Sequence, residues 1–234
     1  MRAAMAEARL PASPGTLGAG LSFVAGFVDS LGFVALFSLF TAHVTGNFVL
    51  LGAALIQPGS GVITKLLALP VFMATVAVVC LLVRIAERSA RPVLIPLLVL
   101  QTLLLAAYMA AGLASVPIVD ADAVSAVITG LIGVVAMAVQ NAGARLAVPT
   151  LVPTTVMTGN VTQFVIDAVD ALRVPATELR TVARARLKRF LPAILSFSIG
   201  AIAGAVMYAR FSFGGLALPL VILIAIVVIE MRRA

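Results

Sequence analysis

The chain contains no tryptophan, one cysteine and one histidine, and only 11% of its 234 residues are charged. Each shortage excludes something. A lone Cys80 rules out an intrachain disulfide, and inside an apolar run it reads as a packing residue. A lone His43 without a carboxylate cluster leaves no set of metal ligands, so no metal and no cofactor is expected. Scarce charge excludes an ordinary soluble domain, in which about a quarter of residues are charged. The apolar runs also lack the alternation of a transmembrane barrel strand.

What is present is hydrocarbon. Hydrophobic residues make up 62% of the chain, and uncharged runs recur at the ~20 residues needed to cross ~30 Å of bilayer. The net charge of +7 sits between these runs, as in cytoplasmic loops, so the basic excess implies no nucleic-acid partner. Residues 1–16 carry Arg2, Glu7, Arg9 and two prolines, and the apolar stretch after them is longer than a signal-peptide core. The first span is therefore expected to stay as an anchor.

Eight apolar segments follow: 17–38, 46–56, 65–84, 93–114, 124–146, 159–169, 190–209 and 215–231. Segments 46–56 and 159–169 are too short to cross. Loops are signalled at 57–61, 84–92, 115–125, 173–189 and 211–215.

The two short segments open on the same phrase. Thr45-Gly46-Asn47 and Thr158-Gly159-Asn160 lie 113 residues apart, with Thr41 upstream of the first and Thr154-Thr155 upstream of the second. Pro70 and Pro192 are separated by 122 residues, Pro96 and Pro219 by 123. The offset jumps once, in the basic stretch Arg173–Arg189, which reads as an insertion in the second of two internal repeats.

Charge orients the repeats. Arg173–Arg189 holds six cations against Glu178, so it belongs in the cytoplasm with the Arg84–Arg91 loop and Arg232-Arg233. The Ser115–Ser125 loop carries Asp120 and Asp122 without a base, and 57–64 is uncharged; both read as external. The expected fold is an all-α membrane protein of six transmembrane helices in two inverted 3+3 repeats, each with one short re-entrant half-helix. Its parts are a cytoplasmic segment 1–16, a first repeat 17–114, an external loop 115–123, and a second, inverted repeat 124–231 with the basic linker 173–189. Both termini lie in the cytoplasm.

The residues Gly26-Phe27-Val28-Asp29-Ser30, Phe40-Thr41-Ala42-His43-Val44-Thr45-Gly46-Asn47, Gln140-Asn141 and Thr155-Val156-Met157-Thr158-Gly159-Asn160 give the chain a family look. It resembles the YoaK-type bacterial membrane proteins over nearly its whole length. That resemblance implies a multi-pass inner-membrane protein and says little about a substrate. The pair of short facing helices is similar in concept to nucleobase and sulfate-type transporters, an architectural analogy only.

A helix that begins inside hydrocarbon exposes N–H donors that only a cavity, water or a ligand can satisfy. Gly46 and Gly159 would let backbone approach a ligand; Thr45, Thr158, Asn47 and Asn160 would cap those donors or bind substrate. Two such helix starts facing one volume favour an anion or an electron-rich ring. Asp29, midway along the first span, is expensive there unless paired; its approximate counterparts are Gln140 and Asn141. The expected substrate site is therefore Asp29, Thr45, Gly46, Asn47, Gln140, Asn141, Thr158, Gly159 and Asn160, with Asp29 and His43 as proton-coupling candidates. The structural alternative is that the phrases only turn the chain and cap helices.

The expected function is transport of a small molecule, coupled to protons through Asp29, with lipid and substrate as partners and a homo-oligomer allowed. A channel or a non-transporting sensor is the alternative. An intramembrane enzyme fits less well: Tyr-Asp, Gly-x-Gly-Asp, Gly-x-Ser-x-Gly and His-x-x-x-His are all missing, and no enzymatic activity is expected. Ser196, Gly200 and Gly204 are spaced for close helix packing, Arg145 for reaching the headgroups, and Asp167 and Asp170 for solvation.

Overall fold

A chain this apolar satisfies its backbone polar groups in hydrocarbon by forming helices. The computed structural model describes residues 14–56, 59–173 and 178–233. Its elements are α1 (Pro14–Ala35), α2 (Gly46–Ala54), α3 (Val62–Arg88), α4 (Leu94–Ser115), α5 (Val124–Ala147), α6 (Met157–Arg173), α7 (Glu178–Phe211), a 3-10 turn (Ser212–Leu216) and α8 (Ala217–Met231). Four helices, α1, α3, α4 and α5, and the stretch Glu178–Met231 are long and apolar enough to cross a membrane. This is a helical membrane protein. The last stretch has 54 residues, about 80 Å as one helix at 1.5 Å per residue. The 3-10 turn interrupts it, with Ser212 at φ 52°, so α7 and α8 are separate helices.

Pro96 and Pro219 each occupy the third position of their helix, α4 and α8, within the first turn, where a missing N–H loses no intrahelical bond. Pro70 and Pro192 both lie inside helices, α3 and α7. The expected loop Arg173–Arg189 is helical from Glu178 onward. Its Arg, Leu and Ala residues are good helix formers, and hydropathy is blind to a helix that continues past the apolar region. Residues 174–177 of that linker, Gln57-Pro58 of the expected outer loop and 1–13 of the amino-terminal segment lie outside the described residues. Helix α6 likewise runs past the expected 159–169 to Arg173.

Helices α1 and α5 form the interior: 67% and 56% of their most apolar windows are buried, against 17% for α3. The outer helices turn Met73, Leu81, Leu103 and Ile202 outward, the face that lipid covers. Helix α1 packs on α7, α8 and α5; α5 packs on α3, α4 and α1; α2 lies on α3, α6 on α7, and α4 on α8. Exchanging α1–α4 with α5–α8 turns this set of helix pairs into itself.

The tightest pair is α1 with α7. A Cβ at Gly200 or Gly204 would fall on the carbonyl oxygen of Phe23 or Phe27, and one at Gly26 on that of Phe197. This is the close approach that the spacing of Gly200 and Gly204 predicts, although Ser196 is only half-buried. Because 23 faces 200 and 27 faces 204, the two helices run parallel. Helices α4 and α5 run antiparallel, joined by Gln101 Nε2 to Gln140 Oε1 at 2.6 Å and by Ser115 with Thr129 at 3.3 Å.

Candidate functional site

After α1 the chain turns back on itself. Phe37 and Ser38 adopt left-handed φ of 50° and 66°, which side chains other than glycine rarely take. Lys65, at the start of α3, holds this turn by donating from Nζ to the carbonyls of Phe37 and Ser60, both at 2.7 Å. The returning segment then docks on Asp29. Its Oδ1 accepts from the backbone N–H of Thr41 (2.8 Å), Ala42 (2.7 Å) and His43 (3.3 Å), and its Oδ2 lies 3.0 Å from His43 Nδ1. Asp29 is 5% exposed, so these bonds are its compensation for leaving water. Asn47, in the first turn of α2, clamps Phe40 from both sides: Oδ1 accepts from its N–H at 3.0 Å and Nδ2 donates to its carbonyl at 2.9 Å.

The second half repeats the stitching with different chemistry. Asn141 Nδ2 donates to Thr155 Oγ1 at 2.7 Å, and Gln140 Nε2 donates to Thr154 Oγ1 at 3.0 Å and to the Leu21 carbonyl at 2.9 Å. Asn160 Nδ2 donates to the carbonyl of Pro153 at 2.6 Å; proline has no N–H, so only half of the Asn47 clamp is possible here. Arg189 donates to the Thr150 carbonyl as Lys65 does to Phe37. Phe40 and Pro153, Phe37 and Thr150, and Asn47 and Asn160 are all 113 residues apart.

These contacts also give depth. Thr41 lies beside Asp29 on α1 and under Gly133 on α5, while Gln140 on α5 reaches Leu21 on α1. As α1 ascends from 21 to 29, α5 descends from 140 to 133, so the two are antiparallel. Each unwound segment returns about 9–10 Å along the helix that precedes it, and the two lie about 10–12 Å apart in height, at 1.5 Å per residue.

Of the expected site residues, Asp29 and His43 pair with each other beside Thr41, while Gln140 and Asn141 bond to Thr154 and Thr155. Gln140 also joins α1 to α5. Asn47 and Asn160 are buried in clamps, whereas Thr45, Thr158 and Gly159 are exposed and Gly46 is half-buried. Thr45 makes no side-chain cap on α2. Neither glycine of the phrases needs a positive φ. A Cβ at Gly46 would press on Phe40 at 2.9 Å, while one at Gly159 would meet only Val156 at 3.7 Å.

Other residues also differ from expectation. Asp167 is fully buried, paired with Arg186 at 2.8 Å and bonded to Gln163; its partner sits on the next helix, beyond the reach of local sequence reading. Asp170 is half-exposed. Arg145 is exposed in the last turn of α5, as its expected reach to the headgroups requires, and it also lines a cleft of about 290 Å³ with Asn141, Pro149, Leu151, Thr154 and Thr155. Lys65 and Arg189 were missed as anchors. A signal existed in sequence: a lone cation opens an otherwise apolar span in the first half, and Arg189 stands just before the apolar span of the second, within two residues of the corresponding place.

Among the described residues no three His, Cys, Asp or Glu side chains converge. The chemistry on offer is hydrogen bonding and one carboxylate–imidazole pair, with the His43 ring partly exposed and edge-on to Phe197 at 5.8 Å. No curated protein and no solved structure matches the chain. The DUF1275 family, described as protein of unknown function, matches residues 17–229. With nearly its whole length covered, the chain belongs to the DUF1275 family.

Proposed function

We propose that the chain is a small-molecule transporter of the bacterial inner membrane, and we read the YoaK-type resemblance as kinship within its family. The chain crosses six times in two inverted 3+3 repeats. Each repeat carries one re-entrant element, an unwound segment leading into α2 or α6, and both termini are cytoplasmic. One observation carries this: the two halves anchor an unwound segment at equivalent positions, on two antiparallel helices, with paired clamps and paired cations. Broken backbone at membrane depth is tolerated where it borders a cavity or protein, and in transporters of this build it marks the binding region. A surface turn alone would not require a buried carboxylate to hold it.

In this reading substrate binds between the unwound segments, near Thr45-Gly46-Asn47 and Thr158-Gly159-Asn160, over the floor made by Asp29, Gln140 and Asn141. The Asp29–His43 pair carries the coupling proton, with the partly exposed imidazole as its access. No enzymatic step is assigned, and the partners are the substrate, the bilayer and further copies of the chain.

Two experiments test it. Single-cysteine labelling in a Cys80→Ser background should find 59–64 and 116–124 outside, and 178–189 and 232–233 inside; outside labelling at 178–189 would overturn the inverted arrangement. Proteoliposomes should show saturable uptake of a small solute driven by a proton gradient. Non-saturating flux would mean a channel instead.

A further inference from the structure

The cleft beside the second unwound segment has a chemistry that its counterpart lacks. Its wall carries Arg145 and Asn141 from α5, and Pro149, Thr154 and Thr155 from the unwound chain. Among the described residues Arg145 has no hydrogen-bond or ion-pair partner. Arg189 donates to the Thr150 carbonyl next to Pro149, so a second cation lies near this wall without lining the cleft. The Asn141 amide, held at 2.7 Å by Thr155, is fixed in orientation in the same wall.

In the first repeat the position 113 residues before Arg145 is Gly32. A Cβ there would already meet Thr41 Cγ2 at 3.0 Å and the Tyr108 hydroxyl at 3.3 Å. That space is filled. At the corresponding place the first half thus offers neither a guanidinium nor room for one.

We propose that this cleft binds a small organic oxyanion, a carboxylate in chemical class, with its charge on Arg145 and a polar edge against Asn141 and Thr155. A planar guanidinium matches a carboxylate in two-point geometry, and the adjacent cations raise the local concentration of anions. At about 290 Å³ the cleft stands at the lower end of ligand pockets, ~300–1,000 Å³, a size that suits a small ligand. The inference rests on the transporter reading and names the substrate class for it: the cleft shares Asn141 with the proposed site and takes the anionic end of the substrate at its second-half side.

The test uses the full chain in detergent, with melting temperature as readout. Benzoate is the probe; benzamide and benzylamine are its neutral and cationic matches. Benzoate alone should stabilise the protein. Arg145→Gln should weaken its apparent affinity about tenfold, as expected when a charge-assisted bond becomes neutral, with the unliganded melting temperature unchanged. Arg184→Gln, an exposed cation outside the cleft, should leave the affinity as it is. Nanodiscs of phosphatidylglycerol and phosphatidylcholine separate a free anion from a lipid headgroup. Arg145-dependent stabilisation by phosphatidylglycerol with none by benzoate would overturn the proposal, as would equal shifts from benzamide, survival of the shift in Arg145→Gln, or no shift at all. Arg145-dependent benzoate binding without proteoliposome flux would uphold the site and overturn transport.

Discussion

Removing the Asp29 carboxylate should release the first unwound segment. Its Oδ1 receives two short backbone bonds, from Thr41 at 2.8 Å and Ala42 at 2.7 Å, and a longer one from His43. A hydrogen bond to a charged acceptor contributes about 1.5–3 kcal/mol and a neutral one about 0.5–1.5, so Asp29→Asn should lose about 1 kcal/mol per short bond, ~2 kcal/mol in all. Asp29→Ala leaves both donors without an acceptor, at about 1–3 kcal/mol each, for ~4 kcal/mol. Side-chain bonds between membrane helices average only ~0.6 kcal/mol where the unfolded reference finds other partners. The donors here are backbone amides in a segment without helical bonds of its own, so the larger figure applies. Hydrogen exchange followed by mass spectrometry should show residues 39–45 protected in the native chain, about thirtyfold faster in Asp29→Asn and faster still in Asp29→Ala, since ~1.4 kcal/mol is a factor of ten. Proton-driven uptake should fail in both variants. Exchange in Asp29→Ala as slow as in the native chain would refute the anchoring role.

Gly204→Leu should force α1 and α7 apart, because its side chain would start inside the Phe27 carbonyl; an overpacking loss of about 1–3 kcal/mol or more should appear as a lower melting temperature, and an unchanged one would contradict the contact. Lys65→Met removes both 2.7 Å bonds to Phe37 and Ser60, so protease susceptibility should rise at 36–40 and not at 148–152. Gly159→Ala should be silent in stability, whereas Gly46→Val, pressed on Phe40, should lower it.

The helical membrane class was legible in the long apolar runs, the Thr-Gly-Asn phrases mark the starts of α2 and α6, and Pro96 and Pro219 each stand third in their helix. The roles within the phrase were not legible. Asn47 clamps a residue seven positions back, and nothing in linear spacing says that an unwound chain will return to it. Asp167 read as solvated because its partner Arg186 lies across a helix pair. Arg145 read as a headgroup contact because charge at a helix end has that meaning by default, and only the fold of 148–155 shows a cavity beside it.

The glycine contact between α1 and α7 bears on how the chain is divided. Helix α1 is wedded to a helix of the second half, and α5 to α3 of the first. The halves are thus interlaced like two swapped partners, each completing the other. Residues 14–115 expressed alone would present the bare backbone of Gly26, which packs on Phe197 in the whole chain, to lipid, and are expected to fold poorly without the second half. Any rigid bodies that rock against each other must be drawn across the chain, each taking helices from both repeats.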